Sequence, residues 1–253
     1  MIKLQIIIIS FILFSILQAR EVGQTEITTE EGMEVYQKEK YYILKKNVEI
    51  ESDNFKLTAQ IVKAYFDKDL YDISKIYSQE NVILESNRGL KVLGNEVDFN
   101  VKNETINVRG KKSFLQNTEI TMTSDEFIVL NNFSGEFKLH GLNSKLITDE
   151  IKSIGEDIKG KYINIEGENL IERLNVQDSN QVNIKTENSN MFAKKAEYNK
   201  QENIIELFEN VKIIRDNELI TGDYAKINTL DESYFIKTNE SKRVKVLLNK
   251  TDE

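Results

Sequence analysis

From Val22 onward the chain alternates apolar and polar residues in short runs. Val48-Glu49-Ile50-Glu51, Val97-Asp98-Phe99-Asn100, Ile163-Asn164-Ile165 and Val211-Lys212-Ile213 are typical. A period of two, with β-branched and aromatic residues at the apolar positions, predicts half-buried β-strands, and almost no helical period competes with it. Turn formers separate the runs: Ser52-Asp53-Asn54, Asn87-Arg88-Gly89, Glu187-Asn188-Ser189 and Arg215-Asp216-Asn217. No intervening stretch is long and amphipathic enough for a crossover helix, so the expected architecture is all-β, made of antiparallel hairpins. Glu30–Lys40 carries no clear period, and Asn175–Ser179 reads as a junction between two sub-units near 175–180.

These units repeat. Asn47–Thr58 lies without a gap on Asn210–Thr221, and in the same frame Ala59 meets Gly222. Val182–Tyr198 fits that frame, Asn81–Phe99 fits with one extra turn residue, and Phe137–Thr148 is a fainter copy. Asn47 and Asn81 are 34 residues apart and Val182 and Val211 are 29 apart, a period that marks an array of like units sharing one core. Each unit reads as strand, tight turn, strand, second turn and a third short strand such as Asn203–Phe208.

The inward phase of the alternation selects Val48, Ile50, Phe55, Leu57, Val82, Leu84, Val97, Phe99, Ile106, Val108, Phe127, Val129, Phe137, Leu139, Val182, Ile184, Ile205, Leu207, Val211 and Ile213. On periodicity alone these residues fill a closed core, since most inward strand residues do. The outward phase is rich in acids such as Glu49 and Glu51, as a solvated sheet face requires.

Composition narrows the chemistry. The chain of 253 residues has no Cys, Pro or Trp, so disulfides, cysteine-ligated zinc and thiol catalysis are excluded. Its formal charge of −8 argues against a general binder of nucleic acid or anionic membranes. The single histidine, His140, leaves little basis for a hydrolase triad. Asp67, Asp69 and Asp72 form a sparse acidic cluster that reads as a polar turn rather than a calcium loop. No cofactor is expected. At the N-terminus, Lys3, the apolar run Ile6–Leu17 and the small residue of Leu17-Gln18-Ala19 predict a signal peptide over 1–19. Residues 20–253 would then form the exported β region. The competing reading is an uncleaved anchor, although the run is shorter than a spanning helix needs.

One further pattern is visible. Ala193-Lys-Lys-Ala-Glu-Tyr198 is followed by Ile204-Ile-Glu-Leu-Phe-Glu-Asn-Val211 and then by Leu219-Ile-Thr-Gly-Asp-Tyr-Ala225. This order resembles that of the OstA/LptA family of periplasmic lipopolysaccharide-transport proteins, and a looser copy surrounds Asn47-Val48, Leu57-Thr58-Ala59 and Tyr65. Where the family has Gly before Asn-Val, this chain has Lys46, Glu80 and Glu209. The resemblance implies an elongated, twisted, open β-jelly-roll in the periplasm that performs no catalysis. It also implies that the inward residues line an apolar groove for the acyl chains of lipopolysaccharide, with Lys45, Lys46, Lys111 and Lys112 near its mouth. End-to-end self-association and LptC-type and LptD-type jelly-roll partners complete that expectation, with no nucleic-acid partner. The alternatives are the membrane-anchored LptC-type relative, a structural β-solenoid and an exported β-helical carbohydrate enzyme.

Overall fold

A computed structural model describes residues 24–70, 72–215, 218–239 and 243–248; the signal peptide expected over 1–19 lies outside them. Every element among the described residues is a strand. In order they are β1 (Glu26–Thr28), β2 (Met33–Tyr36), β3 (Tyr41–Glu51), β4 (Phe55–Phe66), β5 (Ile73–Ser86), β6 (Lys91–Asn100), β7 (Thr105–Arg109), β8 (Ser113–Gln116) and β9 (Thr121–Ser124). There follow β10 (Phe127–Asn131), β11 (Glu136–Ile147), β12 (Lys152–Ile165), β13 (Glu168–Lys185), β14 (Asn190–Asn199), β15 (Ile204–Arg215), β16 (Glu218–Asn228), β17 (Tyr234–Lys237) and β18 (Lys245–Leu248).

The successive long strands, β3 to β6 and β11 to β16, are antiparallel neighbours in one continuous sheet. The long strands do not run straight. Register slips between Lys45 and Val48 where β3 meets β4, between Gln79 and Val82 where β5 meets β6, and between Phe208 and Val211 where β15 meets β16. The slips occur at paired positions, so they line up as one crease across the sheet. Where the chain breaks at the crease, two short strands replace one long one: β7 and β8 both pair with β6, β9 and β10 both pair with β11, and β17 and β18 both pair with β16. The sheet therefore folds over on itself as a β-jelly-roll of hairpins, with two half-sheets facing each other. The first half-sheet carries β2, β7, β10 and β17; the second carries β1, β8, β9 and β18.

Residues at the crease explain why the sheet bends there. In the second half-sheet, Val48 sits opposite Ala59, Val82 opposite Gly94, Val182 opposite Ala193 and Val211 opposite Gly222. A large residue against a small one on each pair lets the two half-sheets approach closely, and the extra residue of each slip supplies the bend. Lys46-Asn47, Glu80-Asn81 and Glu209-Asn210 all have positive φ, between 48° and 65°. Lys46, Glu80 and Glu209 are the three positions that depart from the Gly expected on the resemblance. Asn tolerates that backbone, whereas Lys and Glu are held there at a cost of about 1 kcal/mol each, which the surrounding pairing offsets.

Inward residues of both half-sheets merge into one hydrophobic core. Several expectations change in consequence. Residues 175–180, read as a junction, lie within β13, whose register slips between Gln177 and Val182, so they cross the crease. Ile204–Phe208 and Val211–Ile213 belong to one bent strand, β15, not to two. Glu30–Lys40 contains β2. The antiparallel meander also excludes a parallel β-helix or solenoid.

Candidate functional site

Opposite the crease lies the mouth, where the hairpin turns of the two half-sheets face each other in two rows. Near the middle of the chain the rows stand apart and leave a cleft of about 750 Å³. Phe55, Leu84 and Leu90 come from the second half-sheet and its turns, and Phe99, Val101, Ile106 and Tyr162 from the first. Phe133, in the turn between β10 and β11, stands at the rim and is 88% exposed. The polar groups at this rim are mostly amides, from Asn54, Asn87, Asn117, Asn132 and Asn164, with Arg88 and Lys161 as the cations. Tyr162 donates its hydroxyl to Asn132 Oδ1 at 2.8 Å, and burial pushes its phenol above the ordinary tyrosine range.

The cleft gathers only some of the residues selected from the sequence. Phe55 and Phe99, both partly buried, line it, with Leu84 and Ile106 at its floor and themselves 2% and 1% exposed. Val48, Ile50, Leu57, Val82, Val97, Val108, Phe137, Leu139, Val182, Ile184, Ile205, Leu207, Val211 and Ile213 point inward but are packed into the core, none more than 4% exposed. Phe127 and Val129 point outward, because Ile128 and Leu130 are the buried residues of β10. Leu90, Val101 and Phe133 sit in or beside turns, where alternation carries no phase; Tyr162 lies within β12, where the run Ile163-Asn164-Ile165 suggests the opposite phase.

The lysines expected at the mouth lie elsewhere. Lys45 and Lys46 flank the β3 slip and pair with Glu34 at 2.7 Å and Glu30 at 3.1 Å. Lys111 and Lys112 connect β7 to β8 at the crease.

Farther toward the C-terminus the mouth is bridged. Asn169 donates from Nδ2 and from its backbone N–H to Glu119 Oε2, at 2.7 and 3.3 Å. Hydrogen bonds from the Thr118 hydroxyl and from Asn169 hold the Glu119 carboxyl below the usual carboxylate range. Lys200 donates to both carboxylate oxygens of Glu150 at 2.7 and 2.9 Å. Arg215 donates to the Glu232 carbonyl at 2.8 Å and pairs with its carboxylate, and Asn188 donates to Glu232 Oε1 at 2.5 Å.

Two other places carry more charge. A furrow of about 890 Å³ crosses the outer face of the first half-sheet, but Glu172, Arg173, Glu197 and Glu206 make it polar, and Arg173 is paired with Glu136 at 3.2 Å. His140 is paired with Asp157 at 2.9 Å and lies 3.6 Å from the Glu126 carboxylate. Among the described residues no group of three or more His, Cys, Asp or Glu is placed to hold a metal ion. Asp67 and Asp72 close the turn between β4 and β5 through the Asp67 N–H and the Asp72 carbonyl, and Asp67 is paired with Lys102.

No protein-family model and no curated protein matches this chain. Among solved structures, LptH from Pseudomonas aeruginosa, described as the LptA homologous periplasmic component of the conserved lipopolysaccharide transport device, is similar over 52% of this chain and 95% of its own, at 12% identity and a TM-score of 0.43.

Proposed function

We propose that this protein is a non-enzymatic periplasmic carrier of the lipopolysaccharide-transport type, which takes lipid acyl chains into the cleft at the mouth of the jelly-roll. The apolar cleft between the two rows of turns is the observation that carries the reading. Apolar burial is worth about 25 cal/mol per Å², so acyl chains covering about 200 Å² would contribute about 5 kcal/mol. That force has no direction, so a chain can slide without breaking a specific bond at each step. The headgroup stays at the rim, where amides and Arg88 meet sugar hydroxyls and phosphate in water.

The test is photo-crosslinking to lipopolysaccharide in cells. A photoreactive residue at Phe99 or Leu90 is expected to capture lipid, and one at Phe127, on the outer face, is not. Equal capture at all three sites, or none at Phe99, would remove the basis for the reading.

The same reading includes end-to-end association with further copies and with LptC-type and LptD-type jelly-rolls. At one end β2 exposes Met33, Val35 and Tyr36; at the other, β17 and β18 expose Phe235, Val246 and Leu248. Such edges invite addition of a strand from another sheet. Analytical ultracentrifugation is expected to show chains that lengthen with concentration, and Phe235→Lys with Leu248→Lys to shorten them. A wild-type protein that stays monomeric at all concentrations would count against a bridge.

A further inference from the structure

The mouth of the jelly-roll is held together in two different ways along its length. Beside the open cleft, bonds run lengthwise within each row of turns. Asn87 donates from Nδ2 to the Asp53 carbonyl at 2.9 Å and from its backbone to the Asn54 carbonyl at 3.1 Å, all in the second half-sheet. In the first half-sheet, Asn132 donates to the Glu104 carboxylate at 2.7 Å and to its carbonyl at 3.0 Å. Lengthwise bonds stiffen each lip but leave the lips free to stand apart. Beyond the cleft lengthwise bonds continue in the first row, from Lys200 N–H to the Glu172 carbonyl and from Thr229 N–H to the Asn203 carbonyl, and further contacts cross the mouth, at Glu119–Asn169, Glu150–Lys200 and Glu232–Arg215.

The interior follows the same division. Beneath the crossing contacts, Ile151, Leu174, Val176, Ile184, Tyr198 and Ile205 surround a space of only about 10 Å³. That volume does not admit even a water molecule comfortably, let alone an acyl chain. The cleft therefore ends at Glu119–Asn169.

We infer that the cross-mouth contacts determine specificity by setting the length of lipid tail the protein admits; this rests on the reading of the cleft as a lipid site. With the contacts made, a tail fits only as far as the cleft extends. With them parted, the lips of the C-terminal section separate, and the apolar residues beneath offer a continuous slot. The contacts suit such a duty because they are reversible. Lys200 and Glu150 side chains keep 31% and 47% of their surface in water, so the pair is screened by salt and exchanges readily with solvent. Tail length, the contacts and ionic strength are thereby coupled.

The experiment uses dansyl-labelled octanoic acid and dansyl-labelled hexadecanoic acid as probes on the mature chain. The affinity ratio of long to short probe is the readout. Glu150 and Lys200 lie outside the cleft, so changing them leaves the short probe's site intact. In the double variant Glu150→Cys/Lys200→Cys, bridged by a bis-maleimide, the ratio is expected to fall at least tenfold; the chain has no other cysteine. In Glu150→Ala/Lys200→Ala the ratio is expected to rise several-fold, and raising salt should move wild type in the same direction. A ratio unchanged in both variants overturns the inference while leaving the lipid site standing. Failure of wild type to bind either probe overturns the lipid reading itself, and the inference with it.

Discussion

Leu207→Asp is expected to abolish folding, whereas Phe99→Asp should fold, melt close to wild type and, on the proposed carrier function, lose lipid. Both residues occupy the inward phase of strands in the first half-sheet, and the two substitutions introduce the same charge. Their surroundings differ. Leu207 is fully buried beside Ala196 and Ala225. A carboxylate there has no water and no partner, and an unpaired buried charge costs several kcal/mol, comparable with the ~5–15 kcal/mol that holds a typical domain together. Phe99 is only partly buried and faces the cleft. A carboxylate there reaches water, so the loss is that of missing packing, about 1–2 kcal/mol. Acyl chains brought against it would have to desolvate the charge, so affinity for a fluorescent fatty acid should collapse. Circular dichroism melting followed by fluorescence titration separates the two effects. Unfolding of Phe99→Asp would show that the cleft is ordinary core.

The sequence reveals the hairpins and their repetition because each repeat is one trip across the crease and back. The gapless match of Asn47–Thr58 with Asn210–Thr221 even aligned Ala59 with Gly222, the small residues that face Val48 and Val211. It did not reveal that the repeats bend. Lys46-Asn47 and Glu209-Asn210 resemble ordinary polar breaks, and only their positive φ and the register slips show that one strand continues through them. Phe127-Ile-Val-Leu130 misled for another reason: four consecutive apolar residues have no alternation from which to read a phase, and a shift of one residue exchanges inside for outside. The contacts across the mouth were invisible too. Glu119 and Asn169 are 50 residues apart, and nothing local distinguishes Glu119 from the other outward-facing acids. Where the lips part depends on turn geometry, which alternation does not encode.

The bend itself rests on close packing that a double-mutant cycle can measure. Gly94 sits on the crease of β6, and a Cβ placed there would lie 2.5 Å from Val108 Cγ1 on β7. Val108 is fully buried and β-branched, so its side chain has little freedom to rotate away. Gly94→Ala is therefore expected to cost about 1–3 kcal/mol as overpacking. Val108→Ala alone leaves a void and should cost a similar amount through lost transfer and cavity terms. Combined, the new methyl enters the space that the valine vacated. The double variant should then be more stable than the sum of the single losses by about 1–2 kcal/mol, within the range measured for residues in contact. Urea unfolding gives the three differences, provided the slope with denaturant stays constant. The arrangement recurs at Gly155 against Val176 Cγ1 and at Gly222 against Ile236 Cγ2, each at 2.6 Å, so the Gly155/Val176 cycle should show coupling of the same sign. Strict additivity at both sites would mean that the half-sheets relax apart when crowded, and that small residues opposite valines do not fix the crease.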